Sequence, residues 1–386
     1  MFSISRIQQV LQAIPRGAFE RIVQEHDADR YVKSFFCWDQ LVTMIYVQLA
    51  GARGLRELEQ GFNANASHHY HLGVRGVARS TLADANDKRK PVVFAELLKQ
   101  LIAQAGRTLR RERRELLYLI DASCLDVPVP AGERRGHASA HDKYGMKLHV
   151  LLDAGCASIG AASITKANVN DLCEARKLPL QEGATYVFDK GYCDYNWWQR
   201  IDASGARFVT RFKRAAALNV LAERSVPGDA PQVLRDSVVA FARRTPRGGH
   251  RNAYSAPLRR IEVVRPDAPP LVLATNDMHS PAAQIAQLYK DRWGIELLFK
   301  WVKQHLQIRH FLGRKDNAVR IQVLTALIAY MLVLLLKQAS GFKGTLWMLL
   351  AELRHSLFQR PQAHTSYWRR RREQLAYIAA IQPRLL

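Results

Sequence analysis

Four residues in the C-terminal third of the chain have the side chains and the spacing needed to hold phosphate groups. Tyr289, Arg292, Glu296 and Lys303 lie at offsets of 0, 3, 7 and 14 residues. If this segment forms one α-helix at about 100° per residue, the four side chains point within an arc of about 60°. A phenol, a guanidinium, a carboxylate and an ammonium then share one face. A ladder of surface salt bridges would explain the three charges but not the tyrosine.

Two aspartates upstream follow short apolar runs. Leu116-Leu-Tyr-Leu-Ile120 ends at Asp121, and Tyr186-Val-Phe188 ends at Asp189. Buried strands that end in carboxylates place those carboxylates at the rim of a sheet, where ligands bind. Either aspartate taken alone is an ordinary turn residue, and three neighbouring aspartates compete for the same role: Asp126, Asp142 and Asp194.

Asp121, Asp189 and Glu296 together would form a carboxylate cluster that needs cations to be stable. Hard oxygen ligands favour Mg²⁺ or Mn²⁺. Two such ions can activate a water or a 3′-hydroxyl on one side of a phosphodiester and stabilise the leaving oxygen on the other. The cations and the phenol on the helix face can grip the phosphates. The pattern therefore indicates metal-dependent phosphodiester chemistry.

The composition of the chain favours a folded protein that binds a polyanion. It has 386 residues, 57 Lys+Arg against 34 Asp+Glu, a net charge of +23, and 48% hydrophobic residues. Nucleic acid is the default partner for such a surface, and an anionic membrane is the alternative. The apolar run Ile321–Leu336 is shorter than the roughly 18 to 20 residues of a spanning helix, so we expect a buried core helix and no membrane partner.

The motif Tyr289-x2-Arg292-x3-Glu296-x6-Lys303 resembles the signature of the DDE transposases of the bacterial insertion-sequence-four family, which reads Y-x2-R-x3-E-x6-K. Leu119-Ile-Asp121-Ala-Ser resembles the family's first aspartate strand. Val187-Phe-Asp189-Lys-Gly-Tyr resembles the second.

The resemblance implies an α/β fold, in which an RNase H-like catalytic core is interrupted by a β-rich insertion and preceded by a helical DNA-binding domain. It implies Asp121, Asp189 and Glu296 as catalytic metal ligands in a two-metal Mg²⁺ or Mn²⁺ site, and Tyr289, Arg292 and Lys303 as DNA phosphate ligands. It also implies a homodimer in the synaptic complex. Such an enzyme cuts the terminal inverted repeats of its insertion sequence, often through a hairpin, and joins the 3′-hydroxyls to target DNA.

The same reading divides the chain into five parts. These are a helical, helix-turn-helix-like DNA-binding domain (1–105), the first part of the core (112–200), the β-rich insertion (201–280), the second part of the core with the signature helix (281–345), and a basic helical tail (346–386). Characterised relatives hold a flipped base with a tryptophan of the insertion, but residues 201–285 contain none. Phe241 and Tyr254 are the alternatives, and the role stays unassigned.

Several features keep more than one interpretation. Lys190 and Tyr192 are expected either to contact DNA or to lie on the surface, and His68, His69 and His71 to form a solvated turn rather than a metal site. The basic segments 107–114 and 369–372 are either DNA contacts or solvated helix faces. Five scattered cysteines and the lack of an apolar stretch at the start predict a reducing compartment, the bacterial cytoplasm and nucleoid.

Two other functions remain open beside cut-and-paste transposition. A Mg²⁺-dependent nuclease of the same fold would cut DNA without joining strands. A catalytically silent DNA-binding regulator of transposition would do neither, but a pure binder has no need of a carboxylate cluster that repels DNA. Strand joining separates the first alternative from a transposase, and cleavage separates the second.

Overall fold

The structure is a computed structural model that describes residues 4–109, 116–127, 145–214, 216–228, 230–242, 251–266 and 268–360. The chain divides into two compact units. Unit 1 comprises Met1–Leu101 and Val302–Leu386, and unit 2 comprises Ile102–Trp301. Asp142, the segment 110–114 and the arginines 369–372 lie outside the described residues.

In the described part of unit 1, all regular secondary-structure elements are helices. Its long helix α12 packs against α3, α6, α13 and α1. The helices are α1 (Arg6–Leu11), α2 (Arg16–Glu25), α3 (Cys37–Ala50), α4 (Leu55–Asn63), α5 (His69–Leu72), α6 (Arg79–Lys88), α12 (Asp316–Ala339) and α13 (Leu346–Ser356), together with most of α7 (Val92–Leu109) and the end of α11 (Trp293–His305).

Helix α12 is long and apolar enough to cross a membrane, but 83% of its most apolar window is buried inside the protein. This confirms the expected buried core helix. Two buried glutamines, one on α12 and one on the adjacent α3, hold the segment that follows α11. The Gln48 side chain accepts a hydrogen bond from the Gln307 backbone at 2.7 Å, and the Gln322 side chain accepts one from Leu312 at 2.8 Å. These bonds fix the chain just after Lys303.

Unit 2 contains one mixed sheet of nine strands in the order β3-β2-β1-β4-β5-β9-β8-β7-β6. Strands β1, β4 and β5 are parallel, and the other neighbours are antiparallel. The strands are β1 (Leu117–Leu125), β2 (Met146–Asp153), β3 (Ser158–Lys166), β4 (Thr185–Phe188), β5 (Arg207–Arg211), β6 (Leu218–Arg224), β7 (Val233–Phe241), β8 (Leu258–Arg265) and β9 (Ala268–Thr275). The helices are α8 (Asp171–Ala175), α9 (Tyr195–Ala203), α10 (Ala282–Asp291) and the start of α11.

Aromatic side chains form much of the core of unit 2. Phe188 of β4 lies 4.7 Å from Trp197 of α9, and Phe208 of β5 lies 4.9 Å from Trp198, measured between ring centroids. Both tryptophans are buried. All four β4 residues are buried, which explains their continuous apolar character. This packing fixes the central parallel strands whose ends carry the site.

The structure differs from the predicted elements at three places. Strand β1 continues to Leu125, so Asp121 lies within the strand rather than at its end. The strand β6 was not predicted, because its exposed residues show no clean alternation. The segment carrying the signature is two helices rather than one: α10 ends at Asp291 and α11 begins at Trp293. The bonds from Arg292 N to Tyr289 O and from Ile295 N to Arg292 O span three residues, so the chain tightens at Arg292.

Candidate active site

The register of two parallel strands brings Asp121 and Asp189 side by side. Ile120 of β1 is paired with Phe188 of β4. The next residue on each chain is an aspartate, so the two carboxylates leave the sheet at neighbouring positions. Asp189 begins the loop after β4, while Asp121 is followed by four more strand residues. The expectation that both aspartates follow the end of a strand therefore holds for Asp189 but not for Asp121, and the parallel register still sets the two residues side by side.

A tight turn orients Asp189. Its Oδ1 accepts a hydrogen bond from the Gly191 backbone at 2.7 Å, and its carbonyl accepts one from the Thr210 hydroxyl at 3.1 Å. A Cβ atom on Gly191 would lie 2.8 Å from the same Oδ1, closer than nonbonded atoms approach. Position 191 therefore needs glycine, because the backbone must come within hydrogen-bonding distance of the carboxylate.

Helix α11 brings Glu296 and Arg292 to Asp121. A Cβ on Gly294 would lie 3.3 Å from Leu119 of β1, so the small residue lets the helix lie close to the strand. Arg292 Nη1 lies 3.5 Å from Asp121 Oδ2, and Nη2 lies 2.5 Å from Glu296 Oε1. The guanidinium therefore bridges two of the three predicted carboxylates.

The pKa of Asp121 is raised to about 6. Burial is the main cause, since a carboxylate away from water favours its neutral form. The negative charges of Asp189 and Glu296 add to the effect, whereas the Ala122 backbone N–H and the Arg292 guanidinium oppose it. Asp189 and Glu296 are thus both close enough to Asp121 to influence its ionisation.

Tyr289 is nearly buried, with 9% of its surface exposed. Two guanidinium carbons, those of Arg211 and Arg292, each lie 5.9 Å from the centre of its ring. Burial raises the pKa of the Tyr289 phenol and Asp189 adds to the rise, while the two arginines oppose it. Sequence reasoning missed Arg211, because it lies 78 positions before Tyr289 and belongs to no spaced motif.

Lys303 lies on α11 seven residues after Glu296, which is about two helical turns. It belongs to unit 1, whereas the carboxylates belong to unit 2. The structure therefore brings five of the six predicted residues together within unit 2: Asp121, Asp189, Glu296, Tyr289 and Arg292.

Tyr192 is buried rather than exposed, so the expectation that it contacts DNA or lies on the surface is wrong. Burial raises the pKa of its phenol, and Asp171, Asp121 and Asp189 raise it further. Its hydroxyl makes no hydrogen bond within the described ranges. The Tyr192 ring packs on Phe188 in the aromatic core. The apolar residues of β4 were the sequence feature that could have predicted a buried partner for this strand.

The two aromatic residues considered for the missing insertion tryptophan differ in exposure. Tyr254 is a core residue, 2% exposed, and presents no free face for a nucleobase. Phe241 is partly buried and packs 4.3 Å from the ring of Tyr195, and no base-holding role is assigned to either residue.

The carboxylate set is chemically suited to a divalent cation. Carboxylate oxygens are the hard donors that Mg²⁺ and Mn²⁺ select, and the negative charges of Asp189 and Glu296 both act on Asp121. In the described part of the chain, however, no three His, Cys, Asp or Glu side chains converge closely enough to hold an ion as they stand. The bridging guanidinium of Arg292 accounts for this spacing, since it lies between Asp121 and Glu296.

Comparison with known proteins identifies the family. Residues 112–332 match the family model described as "Transposase DDE domain", and residues 3–75 match "Domain of unknown function (DUF4372)". The first match spans more than half of the chain and contains all six predicted site residues. The chain therefore belongs to the DDE transposase family.

Individual relatives agree with this assignment. The chain is 45% identical over 256 residues to y4zB of Sinorhizobium fredii (strain NBRC 101917 / NGR234), which is named as a transposase; the match covers 65% of this chain and 69% of the relative. It is 25% identical to a protein of Synechocystis sp. (strain ATCC 27184 / PCC 6803 / Kazusa), named as a transposase for insertion sequence element IS4SA, over 72% of this chain and 78% of the relative.

Among solved structures, a piggyBac transposase in a cryo-EM synaptic complex with hairpin DNA matches with a TM-score of 0.47 and 13% identity. That match covers 98% of this chain and 83% of the other. DDE transposases generally use divalent metal ions, and the family assignment therefore agrees with the chemistry of the carboxylate set.

Proposed function

We propose that the protein cuts the ends of its insertion sequence by metal-dependent hydrolysis and joins the 3′-hydroxyls to target DNA. The observation that carries the proposal is the pairing of Ile120 with Phe188, which sets Asp121 beside Asp189. Glu296 lies at the same site, because Arg292 contacts both Glu296 and Asp121. Two aspartates and a glutamate from three separate elements have no evident structural need to meet at a partly exposed edge. Their convergence supports a catalytic role.

The topology of unit 2 supports an RNase H-like catalytic core. Its first five strands have the order β3-β2-β1-β4-β5, with β1, β2 and β3 antiparallel and β1, β4 and β5 parallel. Strands β6–β9 extend the same sheet from β5 before the chain returns in α10. This arrangement supports a core interrupted by a β-rich insertion, but with β5 in the core the insertion begins after Arg211 rather than at residue 201.

In the proposed mechanism Asp121, Asp189 and Glu296 hold the divalent ions, for which Mg²⁺ or Mn²⁺ is the fitting choice. When bound, such ions supply Lewis-acid activation of the attacking and leaving oxygens. Arg292 and Tyr289 lie beside these carboxylates and bind the phosphate next to the scissile bond, and Lys303 binds a phosphate further along the helix. Asp121 must lose its proton before it can act as a ligand, because its pKa is about 6.

Binding to double-stranded DNA is proposed for both units. In unit 1 a cavity of about 520 Å³ lies between the α2–α3 segment and α6. Its lining contains two acidic residues, Asp27 and Asp84, and five cationic ones: Arg30, Lys33, Lys88, Arg89 and Lys90. This excess of cations suits a DNA backbone and supports a DNA-binding role for residues 1–105. A homodimer in the synaptic complex and residence in the bacterial cytoplasm belong to the same proposal.

The test uses purified full-length protein, its element ends and a target plasmid, with Mg²⁺ or with EDTA. Wild type is compared with Asp189→Ala and with Asp126→Ala, which removes an exposed carboxylate just after β1. We expect Mg²⁺-dependent cutting and joining in wild type and Asp126→Ala. Asp189→Ala should lose at least about 1,000-fold, since several kcal/mol of transition-state stabilisation disappear.

Other outcomes would replace the proposal. Cutting without joining, lost in Asp189→Ala, would indicate a nuclease of the same fold. Specific binding to intact ends with neither reaction would indicate a DNA-binding regulator. Equal losses in Asp189→Ala and Asp126→Ala would show that the carboxylate cluster is not the site.

A further inference from the structure

Arg292 holds the same carboxylates that the proposed metal site needs. Its Nη1 lies 3.5 Å from Asp121 Oδ2, and its Nη2 lies 2.5 Å from Glu296 Oε1. The three side chains are 17%, 23% and 33% exposed, so water screens their charges only in part. A divalent cation bound to Asp121 and Glu296 would meet this guanidinium at close range, where two positive charges repel strongly.

The contacts of Arg292 also do not saturate its guanidinium. Each carboxylate receives one guanidinium nitrogen, so neither pair has the bidentate geometry of the strongest arginine–carboxylate contacts. The Nε atom is buried and makes no hydrogen bond to the part of the chain that the structure describes. An arginine held in this way has donors left for a third acidic partner.

We propose that Arg292 and the divalent cation compete for Asp121 and Glu296, and that a DNA phosphate relieves the competition by drawing the guanidinium away. This inference rests on the proposed metal-dependent function. It adds that the protein binds its ions weakly until DNA arrives. Arg292 is then a positioning residue that links assembly of the metal site to the presence of substrate.

Linkage makes the coupling reciprocal: if DNA tightens cation binding, the cation tightens DNA binding by the same factor. The physical origin is that one phosphate oxygen replaces two carboxylates as the partner of the guanidinium. Without Arg292 the carboxylates would bind the cation readily whether or not DNA was present. The competition therefore predicts a substitution that strengthens metal binding, which loss of an ordinary site residue does not do.

The experiment measures the dissociation constant of Mn²⁺ for the full chain by electron paramagnetic resonance, with and without a short duplex of the element end. In wild type the duplex should lower the Kd about tenfold, within the usual range of coupling between sites. In Arg292→Gln without DNA, the Kd should already be about tenfold lower than in wild type, and the duplex should change it less than about twofold.

Arg211→Gln is the matched control. Arg211 lies against the same Tyr289 ring at the same 5.9 Å, but it makes no contact with Asp121 or Glu296 among the described residues. Its Mn²⁺ affinity and its response to the duplex should stay within about twofold of wild type, since its charge lies farther from the carboxylates. If Arg292→Gln fails to fold, Arg292→Lys replaces it. Its ammonium reaches only one carboxylate, so the Mn²⁺ Kd of Arg292→Lys should fall between the wild-type value and the about tenfold lower value expected for Arg292→Gln.

The outcomes separate the two proposals. One outcome would overturn the competition but keep the proposed metal site. In that outcome Mn²⁺ binding is lost in Asp189→Asn, but its Kd is the same in wild type and in the folded Arg292 variants. Weaker Mn²⁺ binding in Arg292→Gln would overturn it as well. If no Mn²⁺ binding depends on Asp189, with or without DNA, the proposed metal-dependent function fails and the competition fails with it.

Discussion

Two arginine–carboxylate arrangements in unit 2 use the same chemical groups in opposite ways. Arg259 of β8 is 2% exposed and grips Asp236 of β7 with two bonds of 2.9 and 2.6 Å. Its remaining nitrogen, Nη1, donates to the carbonyls of Asp277 and Ser280, at 3.2 and 2.5 Å. Every guanidinium nitrogen of Arg259 therefore has an acceptor. Arg292, by contrast, is more exposed, divides its contacts between two carboxylates and leaves Nε without an acceptor.

The difference separates a structural ion pair, in which every guanidinium nitrogen has an acceptor, from one that can still bind a ligand. Arg259 ties β7 and β8 to the turn before α10, the helix that carries Tyr289, and a ligand would find no free donor there. The carboxylates show the same contrast. Burial acts to raise the pKa of Asp277, but hydrogen bonds from Ser280 and His279 and the charge of Arg207 outweigh it, so the pKa is lowered. Asp121 has fewer such bonds, and its pKa is raised to about 6.

The largest expected effect is on stability, at the saturated pair. Arg259→Leu leaves the buried Asp236 carboxylate with only its longer contact to Arg224, at 3.6 Å, which should reduce the free energy of unfolding by about 3 kcal/mol. Arg292→Leu removes partly exposed contacts and should cost about 1 kcal/mol or less. Urea unfolding of both variants, followed by the fluorescence of the buried tryptophans, measures the difference. Equal losses would mean that the two arginines are held equally firmly and that the contrast is wrong.

A smaller effect of opposite sign is expected at the unsaturated site. The pKa of Asp121 is near 4 in the unfolded chain and about 6 in the folded protein. Between these pH values the folded state holds a proton that the unfolded state has already lost, so raising the pH favours the unfolded state. Folding therefore loses stability between about pH 4 and pH 6. Asp121→Asn avoids this loss and should be more stable than wild type by about 2 kcal/mol at pH 7.5 in EDTA, with the gain vanishing below about pH 4.

Urea unfolding of Asp121→Asn and wild type at pH 7.5 and at low pH tests the sign. Asp277→Asn is the contrasting variant, because its pKa is lowered and its ionised form therefore stabilises the fold. That variant should be less stable than wild type at pH 7.5. A loss of stability in both variants would show that Asp121 is as well satisfied as Asp277.

Much of the candidate site, but not all of it, could be predicted from residue spacing. Asp121 and Asp189 were located because each follows a buried apolar run, and Glu296 because it shares helical spacing with Tyr289 and Arg292. These signals are local, and the parallel register then sets the two aspartates side by side. The same local reasoning placed the signature on one continuous helix, whereas the chain is interrupted at Arg292.

Features that depend on long-range packing were missed. Arg211 reaches Tyr289 only because β5 lies beside α10. His69 was expected in a solvated turn, but it is buried, bonds the Phe62 carbonyl at 3.1 Å and stacks on the Phe62 ring at 4.4 Å. Burial lowers the pKa of His69, which favours the neutral ring that such packing needs. No spacing rule identifies these partners, because they are distant in sequence or hidden within a polar segment.

The smallest expected effect concerns how Asp189 is held, since no arginine bridges it as Arg292 bridges the other two carboxylates in the described structure. The Gly191 N–H fixes its Oδ1, and a Cβ at position 191 would lie 2.8 Å from that atom. Gly191→Ala should therefore displace the carboxylate by a few tenths of an ångström and lower the cleavage rate about tenfold. Gly228→Ala is the control, because a Cβ there meets nothing within 4 Å. Single-turnover cleavage of the element ends, with melting curves to show that both variants fold, measures the effect. A cleavage rate for Gly191→Ala equal to that of Gly228→Ala would show that Asp189 tolerates movement, and that the turn serves the fold rather than the site.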